Sequence, residues 1–300
     1  MSSRTIRCGK SWSLSWTARK TCRTISSANS GWPASRPRDK ISVSLKIRVE
    51  CSVWACRTID PVMGGVVASE IGQARHRSAS TSNALAWHVS YAMAASRAIF
   101  LDVKSDRYYS IETANNSLWN SVLSGRVPLR DAPDLQAVLH AQSALNLPMA
   151  SNAYVEAASC SPISDSLLEK GLSRRPFNLR TAGKVLASFS QAKRVAKPGG
   201  LSETLRRLSE GQSQARRECD PAPIALDFHA CRRIIPVKPV CLVDSLALAY
   251  FLSEARAPCE LVFGIQGEPF RAHCWVQWDG VVLNDFVHRV RSFTIVRRCP

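Results

Sequence analysis

The 300-residue chain has no apolar run of about eighteen residues or more, so it offers no candidate for a membrane-spanning helix. It also lacks the continuous apolar core that a secretory signal carries near its start. Its eleven cysteines include no CxxC pair, and none sits with histidines at zinc-finger spacing, so no structural metal site is expected. An odd cysteine count without a signal points to reduced thiols and the cytoplasm. Acids are scarce: 23 Asp and Glu face 40 Lys and Arg, for a formal charge of +17 and a pI near 9.8. Such a charge attracts nucleic acid, a membrane surface or an acidic peptide without choosing among them, and the scattered arginines also fit a solvated surface.

Residues 1–82 hold four of the eight tryptophans (Trp12, Trp16, Trp32, Trp54), with many serines and arginines. Only residues 41–49 (ISVSLKIRV) alternate as a strand does. The composition is formally that of a transit peptide. The preferred readings are a disordered basic tail and a start codon placed too far upstream, with Met63 as a later start.

Order is expected from residue 84. Residues 86–91 (AWHVSY), 98–103 (AIFLDV) and 107–111 (RYYSI) read as three strands. Ala114, Leu118, Trp119 and Val122 then fall at helical spacing up to Gly125, and a second helix runs through residues 133–147. Three short strands followed by helices make a small winged-helix type of module. Residues 164–172, 182–195 and 201–217 are read as helices, the second ended by Lys197-Pro198-Gly199-Gly200, and the basic stretch as a linker plus helices belonging to the C-terminal domain.

The chemistry concentrates after residue 240. Cys241 opens an apolar helix, where the positive end of the helix dipole and unpaired amides favour a thiolate and can hold an oxyanion. Residues 260–266, 272–278 and 281–283 read as strands, placing His273 on the middle one and Asp285 just past the last. Register decides whether the two meet. A two-residue loop of Asp279 and Gly280 pairs Trp278 with Val281, sets Cys274 opposite Asp285 and sends His273 and Asp285 to opposite faces. A three-residue loop with Gly280 in a bulge places His273 opposite Asp285, so the bulge is the expectation. His273 then takes the thiol proton and later protonates the leaving amine, while Asp285 orients the imidazole. His88, His140, His229 and His288 rank lower, as do Cys259, Cys274 and Cys299, and Asp244 and Glu254 are read as solvent-facing charges.

Two resemblances add to this. AIFLDVKSDRYYSI followed by a helix resembles the precursor-recognition element of ribosomal peptide modification systems, a domain similar to the pyrroloquinoline-quinone chaperone. It implies that a leader peptide adds as a strand along Arg107, Tyr108, Tyr109, Ser110 and Ile111; a wing with no ligand is the alternative. CLVDSLALAYFL, LVFGI, PFRAHCWVQWDG and VVLND, in order within residues 235–300, resemble the C-terminal domain of the lasso-peptide leader peptidase, a transglutaminase-like cysteine protease. That family's catalytic residues fall on Cys241, His273 and Asp285. Ala255-Arg256-Ala257 departs from the pattern, which often has a glycine after the helix.

The resulting expectation is an α+β protein. A winged-helix-like recognition module (84–147) and a helical linker (148–222) precede a transglutaminase-like, papain-like domain (223–300). The resemblance implies removal of the leader from a lasso-peptide precursor, with no metal or organic cofactor. Its partners would be that precursor and an asparagine-synthetase-like ATP-dependent macrolactam cyclase; membrane and nucleic acid are not expected as partners. A transglutaminase-like acyl transferase and a non-enzymatic peptide- or nucleic-acid-binding protein are the rivals.

Overall fold

The computed structural model describes residues 47–52, 84–94, 97–112, 116–145, 155, 157–158, 162–170, 178–196, 199–215 and 218–300. Met63 and the early tryptophans lie outside them.

The first sheet contains β1 (Ile47–Ser52), β2 (Val89–Ala94), β3 (Arg97–Asp102) and β4 (Arg107–Glu112), antiparallel in the order β1-β4-β3-β2. Asp102 makes the β3–β4 turn by accepting the amides of Lys104 (2.9 Å) and Ser105 (3.2 Å), the local bonding that suits Asp to turns. Helices α1 (Ser117–Leu123) and α2 (Pro133–Ala141) follow. The Asn116 carboxamide caps α1 by accepting the Trp119 amide at 3.0 Å, and Pro133 begins α2, where a missing N–H costs nothing.

Strand alternation sends the two faces of this sheet to different cores. Tyr91, Phe100, Tyr109 and Ile111 pack with Trp119, Val122, Leu135 and Leu139; the Phe100 ring stacks between Tyr91 (5.4 Å) and Tyr109 (5.0 Å). Ala92, Ile99, Leu101 and Tyr108 turn the other way, into the core of the C-terminal half. A sheet buried on both faces needs apolar residues at successive positions, which is why β3 reads Ala-Ile-Phe-Leu without polar alternation. Burying each such side chain contributes about 1.5–3 kcal/mol.

The C-terminal half contains β5 (Asp165–Ser166), α3 (Leu179–Val195), α4 (Leu201–Ser213), α5 (Pro221–Arg232), α6 (Cys241–Glu254), β6 (Glu260–Gln266), β7 (Arg271–Trp278), β8 (Val281–Val282), α7 (Val287–Val290) and β9 (Thr294–Cys299). Its sheet runs β5-β8-β7-β6-β9, with β5 parallel to β8 and the other pairs antiparallel. Helix α6 is apolar almost all round and is enclosed by α3, α5 and the sheet; the Phe228 ring sits 5.7 Å from Phe189 and 5.6 Å from Phe251. The fold is α+β, and among the described residues no helix is long and apolar enough to cross a membrane.

The structure differs from the sequence reading in three places. Ile47–Ser52, expected to lie in an unpacked tail, pairs along β4. Residues 164–172 do not begin a helix: the Ser164 amide bonds Gly280 O (2.8 Å) and the Leu167 amide bonds Val282 O (2.8 Å), so β8 recruits them as a short parallel strand. Helix α3 belongs with the C-terminal half, since Val185, Phe189 and Ala192 sit in the same core as α6. Helices α5 and α7 and strand β9 were not anticipated. The two halves also touch directly: Arg97 pairs with Glu268 at 2.8 Å, and Arg297 donates to Trp87 O at 2.9 Å.

The departure at Arg256 has a physical signature. Arg256 has φ +54° just after α6, and the Ala257 amide returns to Leu252 O at 3.0 Å, closing the helix in the left-handed conformation that glycine usually supplies. A side chain there costs roughly 1–2 kcal/mol, part of which glycine's extra unfolded-state freedom offsets. Arg256→Gly is therefore expected to stabilise the protein by about 1 kcal/mol in urea denaturation. A loss of stability would show that the guanidinium makes a compensating contact.

Candidate active site

Helix α6 begins at Cys241 with no side-chain cap from Val240. Asp244, one turn in, bends back instead: one carboxylate oxygen accepts the Val240 amide (2.8 Å) and the other accepts Arg232 Nε (2.5 Å). Asp244 thus faces Arg232 and the helix start, not solvent as expected. Its charge also complements the positive helix end. Glu254, at the far end, pairs with Lys184 at the surface.

His273 lies on β7, with its ring between Trp275 (6.0 Å) and Phe293 (5.1 Å). Gly264 pairs with His273 across β6, and a Cβ there would come within 2.7 Å of both Phe293 and Trp275, so only glycine leaves room for these walls. His273 Nε2 bonds Asp285 Oδ2 at 2.5 Å, and both side chains are buried. Nε2 is taken by the carboxylate, which leaves Nδ1 as the ring nitrogen open to the neighbouring Cys241, whose side chain lines the same cavity. Burial pulls the His273 pKa down. The bonds to Asp285 and Cys241, with their charges, outweigh it and raise the pKa to about 9.

The hairpin achieves this contact by a route other than the expected bulge. The β7–β8 turn is a two-residue loop, Asp279 (φ +46°) and Gly280 (φ +76°), pairing Trp278 with Val281 and Gln277 with Val282. Continued regularly, that register would hold His273 and Asp285 on opposite faces. Pairing instead breaks after Leu283. The Leu283 amide still reaches Val276 O (2.8 Å), but its carbonyl turns away to accept from His229 Nε2 (2.8 Å). The Asn284 carboxamide takes the place of a strand by accepting the Val276 amide (2.8 Å), which frees Asp285 to rotate towards His273. The irregularity lies at Leu283–Asn284, not at Gly280.

Several residues not singled out from the sequence hold the arrangement. Ser166 Oγ donates to Asp285 O (2.6 Å), the Phe286 amide donates to Asp285 Oδ1 (2.7 Å), and Arg289 stands 3.3 Å from that oxygen. Ser245, one turn along α6 from Cys241, donates to Cys274 O and accepts from Asn284 (both 2.9 Å). This bridge ties the cysteine helix to the histidine strand and to the aspartate segment. Burial lowers the pKa of His229, whose Nε2 donates to the Leu283 carbonyl. The Ser166, Ser245 and His229 contacts join residues far apart in the chain, and the one local cue is the polar Asn284 that follows the apolar run Val281–Leu283.

Cys241, His273 and Asp285 line one cavity of about 310 Å³, with His229, Arg232 and Arg289 among its other walls. Four other cysteines are of another kind: burial pushes the thiols of Cys231, Cys259, Cys274 and Cys299 up, Cys259 to about 12. Of the remaining histidines, His288 is exposed near Glu169, and His88 and His140 belong to the N-terminal half. The strand Arg107, Tyr108, Tyr109, Ser110 and Ile111 does not present the open edge expected of it, because β1 pairs there from Ile47↔Ile111 to Ser52↔Arg107. Its side chains are committed as well: Tyr109 and Ile111 to the N-terminal core, and Tyr108 to the C-terminal one.

A thiol at a helix start beside a buried, carboxylate-bound imidazole has the parts for acyl transfer. No curated protein and no solved structure matches the chain. Residues 185–298 match the family model of the Transglutaminase-like superfamily, a span running from within α3 into β9 and containing Cys241, His273 and Asp285. The C-terminal part of the chain is a transglutaminase-like domain.

Proposed function

We propose that the protein is a cysteine peptidase that removes the leader from a ribosomally made lasso-peptide precursor. The observation that carries the chemistry is the His273–Asp285 bond of 2.5 Å beside Cys241 at the start of α6. In this reading Cys241 attacks the carbonyl at the leader–core junction while His273 Nδ1 holds the thiol proton. The amides at the start of α6 stabilise the oxyanion, and His273 passes its proton to the leaving amine. Water, deprotonated by the same imidazole, then releases the leader from the acyl-enzyme. The freed core amine would pass to an ATP-dependent macrolactam cyclase.

The leader would bind as a strand along β4 in place of β1. β1 pairs there from Ile47↔Ile111 to Ser52↔Arg107 with an irregularity between Val49 and Cys51, and in this reading the leader takes over the same backbone edge. The +17 charge favours an acidic leader.

The test is incubation of the full chain with a short leader-bearing peptide sought among the neighbouring reading frames, with products read by mass spectrometry. Two fragments whose masses sum to the precursor plus one water support the peptidase. A leader joined to an added amine, with no hydrolysed product, would assign the site to acyl transfer instead.

A further inference from the structure

We propose that Tyr108, supplied by the N-terminal sheet, is a specificity-determining residue of the Cys241 site, excluding bulky groups from the far side of the thiol. The proposal rests on reading Cys241 as the reactive thiol, but not on whether water or an amine receives the acyl group.

Cys241, His273 and Cys274 lie between two cavities. One is the 310 Å³ cavity already described. The other holds only about 10 Å³ and is bounded by Tyr108, Leu242, Phe263 and Ala272. That is room for about one water molecule. Leu242, Phe263 and Ala272 come from the helix and strands that build the site itself. Tyr108 alone among these walls comes from the other half, from the second position of β4.

The pleat of β4 explains how it reaches. Tyr109 turns to the N-terminal helices, so Tyr108 must turn to the opposite face, where it is 1% exposed and its ring packs 5.5 Å from Phe270. The sheet it belongs to is packed onto the C-terminal half through Ala92, Ile99 and Leu101, with Arg97–Glu268 and Arg297 on the Trp87 carbonyl bridging at the surface. The ring therefore cannot swing away without disturbing a packed sheet. A substrate entering from the large cavity meets a closed wall beyond the thiol, and the site takes only a small side chain beside the reacting carbonyl. The N-terminal half is then part of the site's shape as well as a holder for peptide.

The test uses the full chain and two thiol reagents of different size, iodoacetamide and N-benzylmaleimide, with labelling at Cys241 followed by peptide mass mapping. Tyr108→Ala is expected to raise the N-benzylmaleimide rate relative to the iodoacetamide rate at least tenfold. Tyr108→Phe, which keeps the ring, should hold the ratio within twofold of wild type. An unchanged ratio in Tyr108→Ala, with near-UV circular dichroism intact, overturns the proposal. Should the alanine variant not fold, Tyr108→Leu serves in its place: an increased ratio supports the wall and an unchanged one removes it. A wild-type Cys241 that takes neither reagent would overturn the reactive-thiol reading itself, a result distinct from an unchanged ratio.

Discussion

A Cys241→Ala protein is expected to lose leader cleavage by about 10⁴-fold or more in kcat/KM, the scale seen when a covalent nucleophile is removed. Cys241→Ser should be nearly as inactive, because a hydroxyl in place of the thiol holds its proton far more tightly. The serine variant matters because it keeps the size and bonding of the residue, so inactivity in both variants reports chemistry and not a collapsed helix start. Circular dichroism and urea midpoints should stay close to wild type, since Cys241 lies at the first position of α6, outside the apolar contacts that hold the helix. Cys219→Ala, which removes a half-exposed thiol, should leave the rate within about twofold. Retention of cleavage by Cys241→Ala would remove the peptidase assignment.

The second large effect concerns His273 and Asp285. The His273 pKa of about 9 predicts that kcat/KM declines on the alkaline side around pH 9, where the imidazolium that protonates the leaving amine is lost. Asp285→Asn removes a hydrogen bond to a charged partner and that partner's charge. Burial, which acts downward, then counts for more, so the alkaline limb should move to lower pH. The rate at neutral pH should fall on the order of 10²- to 10⁴-fold, as the imidazole loses both orientation and charge compensation. The same linkage has a stability side. His273 is raised above its unfolded value, so its stabilising contribution is complete below the ordinary histidine pKa of about 6.5 and disappears as the pH rises through about 9. Urea midpoints measured from pH 6 to 10 should show this decline in wild type and less of it in Asp285→Asn. An alkaline limb that does not move in the variant would separate Asp285 from the histidine's function.

The sequence made the elements of the site readable, but not the way they meet. A cysteine before an apolar helix and a histidine within a buried strand are local patterns, and both stand where those patterns place them. The path of Asp285 was not local. The Asp279-Gly280 turn takes the tight two-residue form that its composition favours. The needed irregularity is transferred to Asn284, whose carboxamide substitutes for a strand partner. Nothing near Asn284 indicates that His229, 54 residues earlier, will draw the Leu283 carbonyl away, or that Ser166, 119 residues earlier, will anchor the Asp285 backbone. The same limit applied to β4. Its edge looked open because β1 lies some 55 residues upstream in a stretch with little periodicity, and strand pairing at that separation depends on register and burial more than on local composition. The run Ala-Ile-Phe-Leu in β3 did carry a signal, since a strand apolar at every position must be covered on both faces.

The claim on which the rest depends is that Cys241, next to the His273–Asp285 pair, is the reactive thiol. Its most direct test is limited alkylation of the full chain with iodoacetamide at pH 6, where ordinary thiols, with pKa values of about 8.5, are almost wholly protonated. Cys219, half-exposed and away from the site, is the internal standard. The account predicts labelling at Cys241 at least tenfold faster than at Cys219, with the advantage lost in Asp285→Asn. Labelling of Cys241 no faster than Cys219 in the wild-type protein would contradict it.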